Sequence, residues 1–261
     1  MIRIIPHSVN NAAMNLAIDR ALFDIMQESL ENNLQVTPTL RTYQFSGPTV
    51  IFGNQQSIVN RYKSGILKNV QVTKRDTGGG HMFFGANDIN FSFIAPFDYY
   101  RNGNLISQYQ EVNAHVVEAL KKCGYNASLG RTSVRVDGRL LVGTARKHGK
   151  KVALHQGAIL YTRYDDKIFK LLCARDDEIR RWKKLVTSLQ NYNNQNFINL
   201  PSEIVASFNA HYKKSLTDEE TSKANALYKK KYSNIDYIKD GSHEEDLCLI
   251  ALEWTKDDDK K

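Results

Sequence analysis

The chain has 261 residues, of which 41% are apolar and 25% charged, enough to bury one sizeable core. No apolar run approaches membrane-spanning length, and Met1 to Pro6 is too short for an apolar leader core, so neither a spanning helix nor a secretory signal is expected. Three unpatterned cysteines (Cys123, Cys173, Cys248) argue against a disulfide framework and for a reducing, cytoplasmic setting, while a net charge of +8 asks for an acidic partner or ligand.

In chain order, Asn10 and Asn11 can cap a helix over about 12–30, with Met14, Ile18, Leu22 and Ile25 or Met26 on one face. Strands follow near 39–44 and 49–53, separated by Ser46-Gly47-Pro48. A second helix spans about 106–123, with Val112, Val116, Leu120 and Cys123 toward the core. A hairpin then runs over 134–161 with His148-Gly149-Lys150 at its tip, followed by helical stretches near 165–190, 201–213 and 217–231. Strands with segregated helices indicate an α+β fold with a mixed, largely antiparallel sheet flanked by helices. The expected division is a catalytic-type domain over 1–238 and a C-terminal extension over 239–261, whose charged end reads as disordered.

Residues 74 to 92, KRDTGGGHMFFGANDINFS, carry the most chemistry. Gly78, Gly79 and Gly80 lack a Cβ, so their backbone can take positive φ and approach a ligand closely, with N–H groups turned toward an oxygen. Arg75 supplies a fixed fork of donors. The following alternation reads as a strand whose polar face is Asp88, Asn90 and Ser92. A flexible turn beside an ordinary half-buried strand is the plainer reading of the same residues.

A second stretch, DGRLLVGTARKHGKKVALHQGAILY (137–161), together with the first, resembles the lipoate–protein ligase A family and its octanoyl- and lipoyltransferase relatives. The glycine stretch is similar to the family's Arg-Arg-x-x-Gly-Gly-Gly motif and downstream Asn-Phe-Ser. Weaker similarity covers 40–57 and 215–237, so the resemblance spans about residues 10 to 237 in family order. It implies a biotin/lipoate protein ligase-like catalytic domain that binds lipoate or octanoate, with ATP and Mg²⁺ in the ligase version. The partner it implies is a lipoyl carrier domain, such as a glycine cleavage H protein or a 2-oxoacid dehydrogenase E2. The resemblance leaves no accessory domain expected within residues 238–261, so a separate accessory subunit is a further implied partner.

On that resemblance the binding residues are Arg75, Gly78, Gly79, Gly80, Asp88, Asn90, Ser92, Gly143, Thr144, Ala145, His155 and Gly157. The sequence departs from the pattern where catalysis is concerned. Aligning on Gly143 places Leu140 where the family has its active-site lysine, and Thr132 and Ser133 stand where an acidic residue helps to place metal and nucleotide. Arg139 is adjacent, but strand alternation points it to the other face. His155 and Lys147 are the weak catalytic candidates left, with Lys150 and Lys151 on the same hairpin. No histidine has metal-ligand spacing, so no metal site is assigned. Neither Cys123 nor Cys173 falls where the cysteine-dependent octanoyltransferases carry their nucleophile.

Three classes of function stay open. The first is transfer of a lipoyl or octanoyl group to a carrier lysine, by an acyl-adenylate or from an acylated carrier. The second is a catalytically impaired lipoate or carrier binder, or a subunit needing a partner, which Leu140 favours. The third, nucleic-acid binding, rests on charge alone, with no aromatic–basic interleaving and no known module. The Gly-Arg-Gly-Arg signature of biotin ligases is absent.

Overall fold

The computed structural model describes residues 1–58, 60–101, 103–192, 195–209 and 212–239. The extension expected over 239–261, Cys248 included, lies outside them apart from residue 239. Strand β1 (Arg3–Asn10) leads into α1 (Ala12–Glu31), then β2 (Thr39–Phe45), β3 (Thr49–Phe52), β4 (Gln71–Lys74), β5 (Met82–Phe84) and β6 (Ile89–Pro96). Helix α2 (Leu105–Lys122) is followed by β7 (Ala127–Leu129), β8 (Val134–Val136), β9 (Arg139–His148) and β10 (Val152–Ile159). The remainder is α3 (Asp166–Leu171), α4 (Asp176–Leu185), α5 (Leu200–Ser207), β11 (Tyr212–Lys213), α6 (Asp218–Leu227), a π-helical turn (Tyr228–Tyr232) and α7 (Ile235–Lys239).

Among the described residues the main sheet runs β11-β1-β2-β6-β10-β9-β8-β7, and a small sheet runs β4-β3-β5. In the main sheet only the β11–β1 and β1–β2 pairs are parallel, so the fold is α+β on a largely antiparallel sheet, as the sequence reading expects. Helices α2 and α5 cover the back of this sheet through Val112, Val116, Leu120, Leu200 and Ile204, against Phe91, Phe93 and Val142. Helix α1 and the small sheet cover the front, with Leu16, Ala17, Val50, Phe52 and Met82 against Tyr43 and Ala158.

Local chemistry accounts for several of these elements. The Asn11 side chain accepts from the Met14 N–H at 2.8 Å and starts α1 where the sequence places the cap. The Thr217/Glu220 capping box starts α6. The stretch expected as one helix over 165–190 is split into α3 and α4, with Cys173 at φ 48° between them. The stretch expected over 201–213 ends at Ser207 and continues into β11. Asp88 lies in the turn before β6, not on the strand. No helix among the described residues is long and apolar enough to cross a membrane.

Candidate functional site

On the front face a narrow slot of about 60 Å³ opens between β9, β10 and the small sheet. Leu16, Phe45, Ile51, Met82 and Phe84 form its apolar walls, while Arg75 and Asn90 are among its polar lining. The floor is backbone: Gly143-Thr144-Ala145 of β9 beside Gln156-Gly157-Ala158 of β10. Antiparallel register sets Gly143 opposite Ala158 and Ala145 opposite Gln156, on the front face. A Cβ added to Gly143 would meet nothing nearer than the Met82 Sδ at 3.8 Å, so this glycine keeps open space, not a tight contact. Gly157 differs, because its Cβ would come within 2.2 Å of the Phe91 ring on the back.

Of the residues expected to bind, Arg75, Asn90, Gly143, Thr144, Ala145 and Gly157 come together in this slot. The glycine loop sits beside it and is built for close approach. Gly79 takes φ +92°, and a Cβ on Gly53 would lie 1.9 Å from the Gly79 carbonyl oxygen. Arg75 clamps this loop, its Nη2 donating to the Gly78 carbonyl at 2.6 Å and the Gly80 carbonyl at 2.9 Å. Burial lowers its pKa to about 10, which leaves it a cation at neutral pH. One nitrogen is thus committed to the loop, and the residue also lines the slot.

Beside the slot, between α1 and the front of the sheet, lies a buried polar network centred on Asp19 and Arg41. The Asp19 carboxylate of α1 pairs with Arg41 of β2 at 2.6 Å, each side chain about 1% exposed. Asp19 also accepts from Ser92 Oγ at 2.6 Å, Gln156 Nε2 at 2.7 Å and Tyr43 at 3.2 Å. Thr77 Oγ1 of the glycine loop donates to Gln156 Oε1 at 2.9 Å, so one chain of bonds joins loop, sheet and helix. Ser92 therefore serves this network. Neutral His81, its pKa lowered by burial to about 4, bridges the Leu172 carbonyl and Gln56.

Other expected residues lie elsewhere. Asp88 faces backbone: its oxygens accept from the N–H groups of Gly85 (2.8 Å), Tyr161 and Thr162 (2.7 Å each), while burial raises its pKa to about 6. His155 is on the back face, fully buried between Phe91 and Tyr109, and its neighbour Gln156 turns to the front. Lys147 is opposite Leu154 and shares the front face with Ala145; burial lowers its pKa, opposed by Asp76, and its ammonium sits 5.8 Å from the Phe23 ring. Lys150 is paired with Glu31 and Lys151 donates to the Leu30 carbonyl, both at the exposed hairpin end.

Leu140 is buried in the apolar cluster with Ala158, Leu160 and Val186, and offers no donor there. Arg139 donates to the backbone carbonyls of Lys183 and Val186, holding the end of α4. It lines a separate polar cleft of about 400 Å³ with Arg163, Lys183, Asp165 and Asp166. Thr132 gives its carbonyl to the Thr144 hydroxyl, which fixes the loop before β8 against β9.

The glycine motif contains a further junction at Asp76. Its side chain, 7% exposed, receives Arg20 of α1 at 2.6 Å, Lys231, Tyr232 at 2.7 Å and Tyr237 at 3.2 Å. Burial alone would raise its pKa, but Lys231, Arg20 and Tyr232 together hold it down at about 2. Thr73 adds a bond to the Tyr232 carbonyl at 2.9 Å, so the segment 228–237 is tied to the strand that enters the glycine loop.

Comparisons with known proteins agree on a family. The model of the lipoyl protein ligase A/B catalytic domain matches residues 11–206. Lipoate–protein ligase 1 of Staphylococcus aureus is 26% identical over 203 residues, covering 76% of this chain and 58% of that protein. Octanoyltransferase LipM of Carboxydothermus hydrogenoformans is 26% identical over 193 residues, 65% of this chain and 68% of that one. The chain spans 58%, 51% and 43% of the length of three of the lipoate–protein ligases it matches. Among solved structures, lipoate–protein ligase A bound with ATP superposes with a TM-score of 0.74 at 22% identity, covering 92% of this chain and 98% of that one. The structure of the bi-partite lipoate protein ligase and its E2 lipoyl domain from Thermoplasma acidophilum gives 0.76 at 22%, covering 94% and 98%. At that identity the two superpositions establish the fold.

Proposed function

The chain belongs to the lipoyl protein ligase A/B catalytic-domain family, and we propose that it holds a lipoyl or octanoyl chain in the front slot and passes it to a lysine of a lipoyl carrier domain. The observation that carries this reading is the slot itself: apolar walls, a floor opened by Gly143, and Arg75 with the glycine loop beside it. An aliphatic chain gains from such burial at about 0.8 kcal/mol per CH₂. About 60 Å³ holds only a few waters, so Met82 and Phe84 must yield as a chain enters.

In the transfer, the carrier amine attacks the acyl carbonyl, a C–N bond forms, and the bond to the leaving group breaks. Arg75 is the cation beside the slot that can stabilise the developing oxyanion. Two donors differ in what they demand of this chain. Activation by ATP and Mg²⁺ asks for a donor at position 140 and a carboxylate near 132–133, where Leu140, Thr132 and Ser133 stand. These residues do not fit a nucleotide and its metal, so no step is assigned to them. Transfer from an acylated carrier needs no nucleotide or metal, so these replacements weaken it less, and it is the version these residues support better. A bi-partite ligase from T. acidophilum is among the proteins of the same fold, which supports an accessory subunit as a further partner here.

Leu140 also favours a second reading, a chain that binds the acyl group without turning it over. Intact-mass measurement of an apo lipoyl carrier domain decides between them. One tube holds the protein with lipoate, ATP and Mg²⁺, and the other an octanoylated carrier as donor. Acylation in the second tube alone is the expected result. Acylation only with ATP would overturn the choice of donor, and an unmodified carrier in both tubes would leave the binder reading or a chain that needs its accessory subunit.

A further inference from the structure

Behind the sheet, α2 closes over polar side chains whose hydrogen-bonding capacity is largely unmet. Arg146 and His155 are cross-strand neighbours on β9 and β10 and are 9% and 0% exposed. Both ring nitrogens of His155 and both polar atoms of Asn113 are buried without a hydrogen bond, and the Tyr100 hydroxyl and Arg146 guanidinium are near enough to interact while neither completes a bond of good geometry. They converge on one place. The Arg146 guanidinium lies 4.6 Å from the Tyr100 ring and 5.5 Å from the Tyr109 ring, and His155 stacks edge-on to Tyr109 at 5.3 Å. Asn113 is one helical turn beyond Tyr109, on the same side of α2.

Two cation–π contacts return less than the loss of every guanidinium hydrogen bond costs. Glu111 is near enough for its charge to reach Arg146, but its carboxylate accepts from the exposed Arg101 N–H at 3.3 Å. Burial and Arg146 push the His155 pKa well down, so the imidazole is neutral and the guanidinium keeps the positive charge. Such an arrangement is complementary to an oxyanion, which a guanidinium takes in a fork of two parallel bonds.

Strand β9 ties this group to the slot. Pairing between β8 and β9 stops at Val142, so among the described residues 143–148 are paired on the β10 side only. Ala145 lines the slot, and Arg146 is the next residue along this free edge. Arg75 stands in front of the edge and Arg146 behind it, and Tyr109 is close enough to feel both charges.

We infer that Arg146, with Tyr100, Asn113 and His155 around it, is an oxyanion receptor at the free edge of β9 that takes the carboxylate or phosphate-ester head of the acyl substrate. It supplies from behind the sheet the cationic donor that Leu140 does not. This rests on the acyl reading of the slot, and the two can fail separately.

The test is calorimetric titration of the wild type, Arg146→Met and Arg146→Lys with octanoate, its neutral analogue octanamide, and inorganic phosphate. The wild type is expected to bind octanoate at least tenfold more tightly than octanamide. Arg146→Met should bring the two within twofold by weakening octanoate alone, and Arg146→Lys should keep part of the preference. Phosphate that competes with octanoate in the wild type and not in Arg146→Met would place phosphate esters among the heads accepted. Phosphate that does not compete would restrict the receptor to carboxylates. An Arg146→Met protein that melts higher yet keeps the wild-type preference for octanoate would overturn the receptor, as would a wild type with no preference. Binding of neither octanoate nor octanamide would instead defeat the acyl reading of the slot.

Discussion

Replacing Asp76 with asparagine removes one charge from the junction that ties the segment 228–237 to the glycine loop, and the cost follows from its titration. Its carboxyl is held at about 2 against an ordinary 3.8. At about 1.4 kcal/mol per pH unit this is worth about 2.5 kcal/mol of folding free energy. A carboxyl depressed by folding contributes fully above its unfolded pKa and loses that contribution as pH falls toward its folded value. Asp76→Asn should therefore cost about 2.5 kcal/mol at pH 7, about half as much at pH 3, and only about 0.4 kcal/mol near pH 2. For a chain of this length the neutral-pH loss corresponds to about 5–10 °C in Tm. Urea unfolding of both proteins from pH 7 to pH 3 measures it. A loss that is the same at pH 7 and pH 3, or no loss at all, would refute the argument that the charge on Asp76 holds the junction.

Asp19→Ala should be costlier, because it leaves Arg41, 1% exposed, as an uncompensated buried cation; about 3–5 kcal/mol is expected in chemical denaturation, and less than 1 would mean the network is dispensable. Gly157→Ala drives a methyl to within 2.2 Å of the Phe91 ring and should cost about 1–3 kcal/mol, read as a lower urea midpoint. Leu140→Lys should raise any residual ATP-dependent adenylation by about 10²-fold while lowering Tm, since it offers one donor yet buries an ammonium. An unchanged rate in a folded Leu140→Lys protein would shift the limitation to Thr132 and Ser133.

How far the sequence reached depended on what kind of information each feature needs. Helix α1 and the β9–β10 hairpin were legible because caps and apolar spacing are local. Strand β1 was not, since the residues near Met1 were weighed only as a leader. Gly143-Thr144-Ala145 and the glycine loop were legible as local glycine-bearing stretches; the first lines the slot and the second stands beside it. The destination of the Arg75 donors was not, because sequence does not say whether a guanidinium meets a ligand or its own loop. His155, expected at the site, lies behind it for a reason of strand parity. A register shift between Val134 and Arg135, where β8 meets β9, leaves Leu140 and Gly143 both at the front. That puts Gln156 in the site and His155 behind it. Asp19 and Arg41 did leave a signal: a charge one residue beyond Ile18 on an apolar helix, and another inside a strand of Leu, Thr and Tyr, is the pattern of a buried pair.

The central claim, that the front slot over Gly143 receives an acyl chain, is tested most directly by titrating octanoate into the wild type and Gly143→Val. The first added carbon meets only Met82 at 3.8 Å, so the variant should fold with an unchanged melting temperature. Its branched side chain occupies the slot, and octanoate affinity should fall at least tenfold. A folded Gly143→Val protein that binds octanoate as the wild type does would contradict the account.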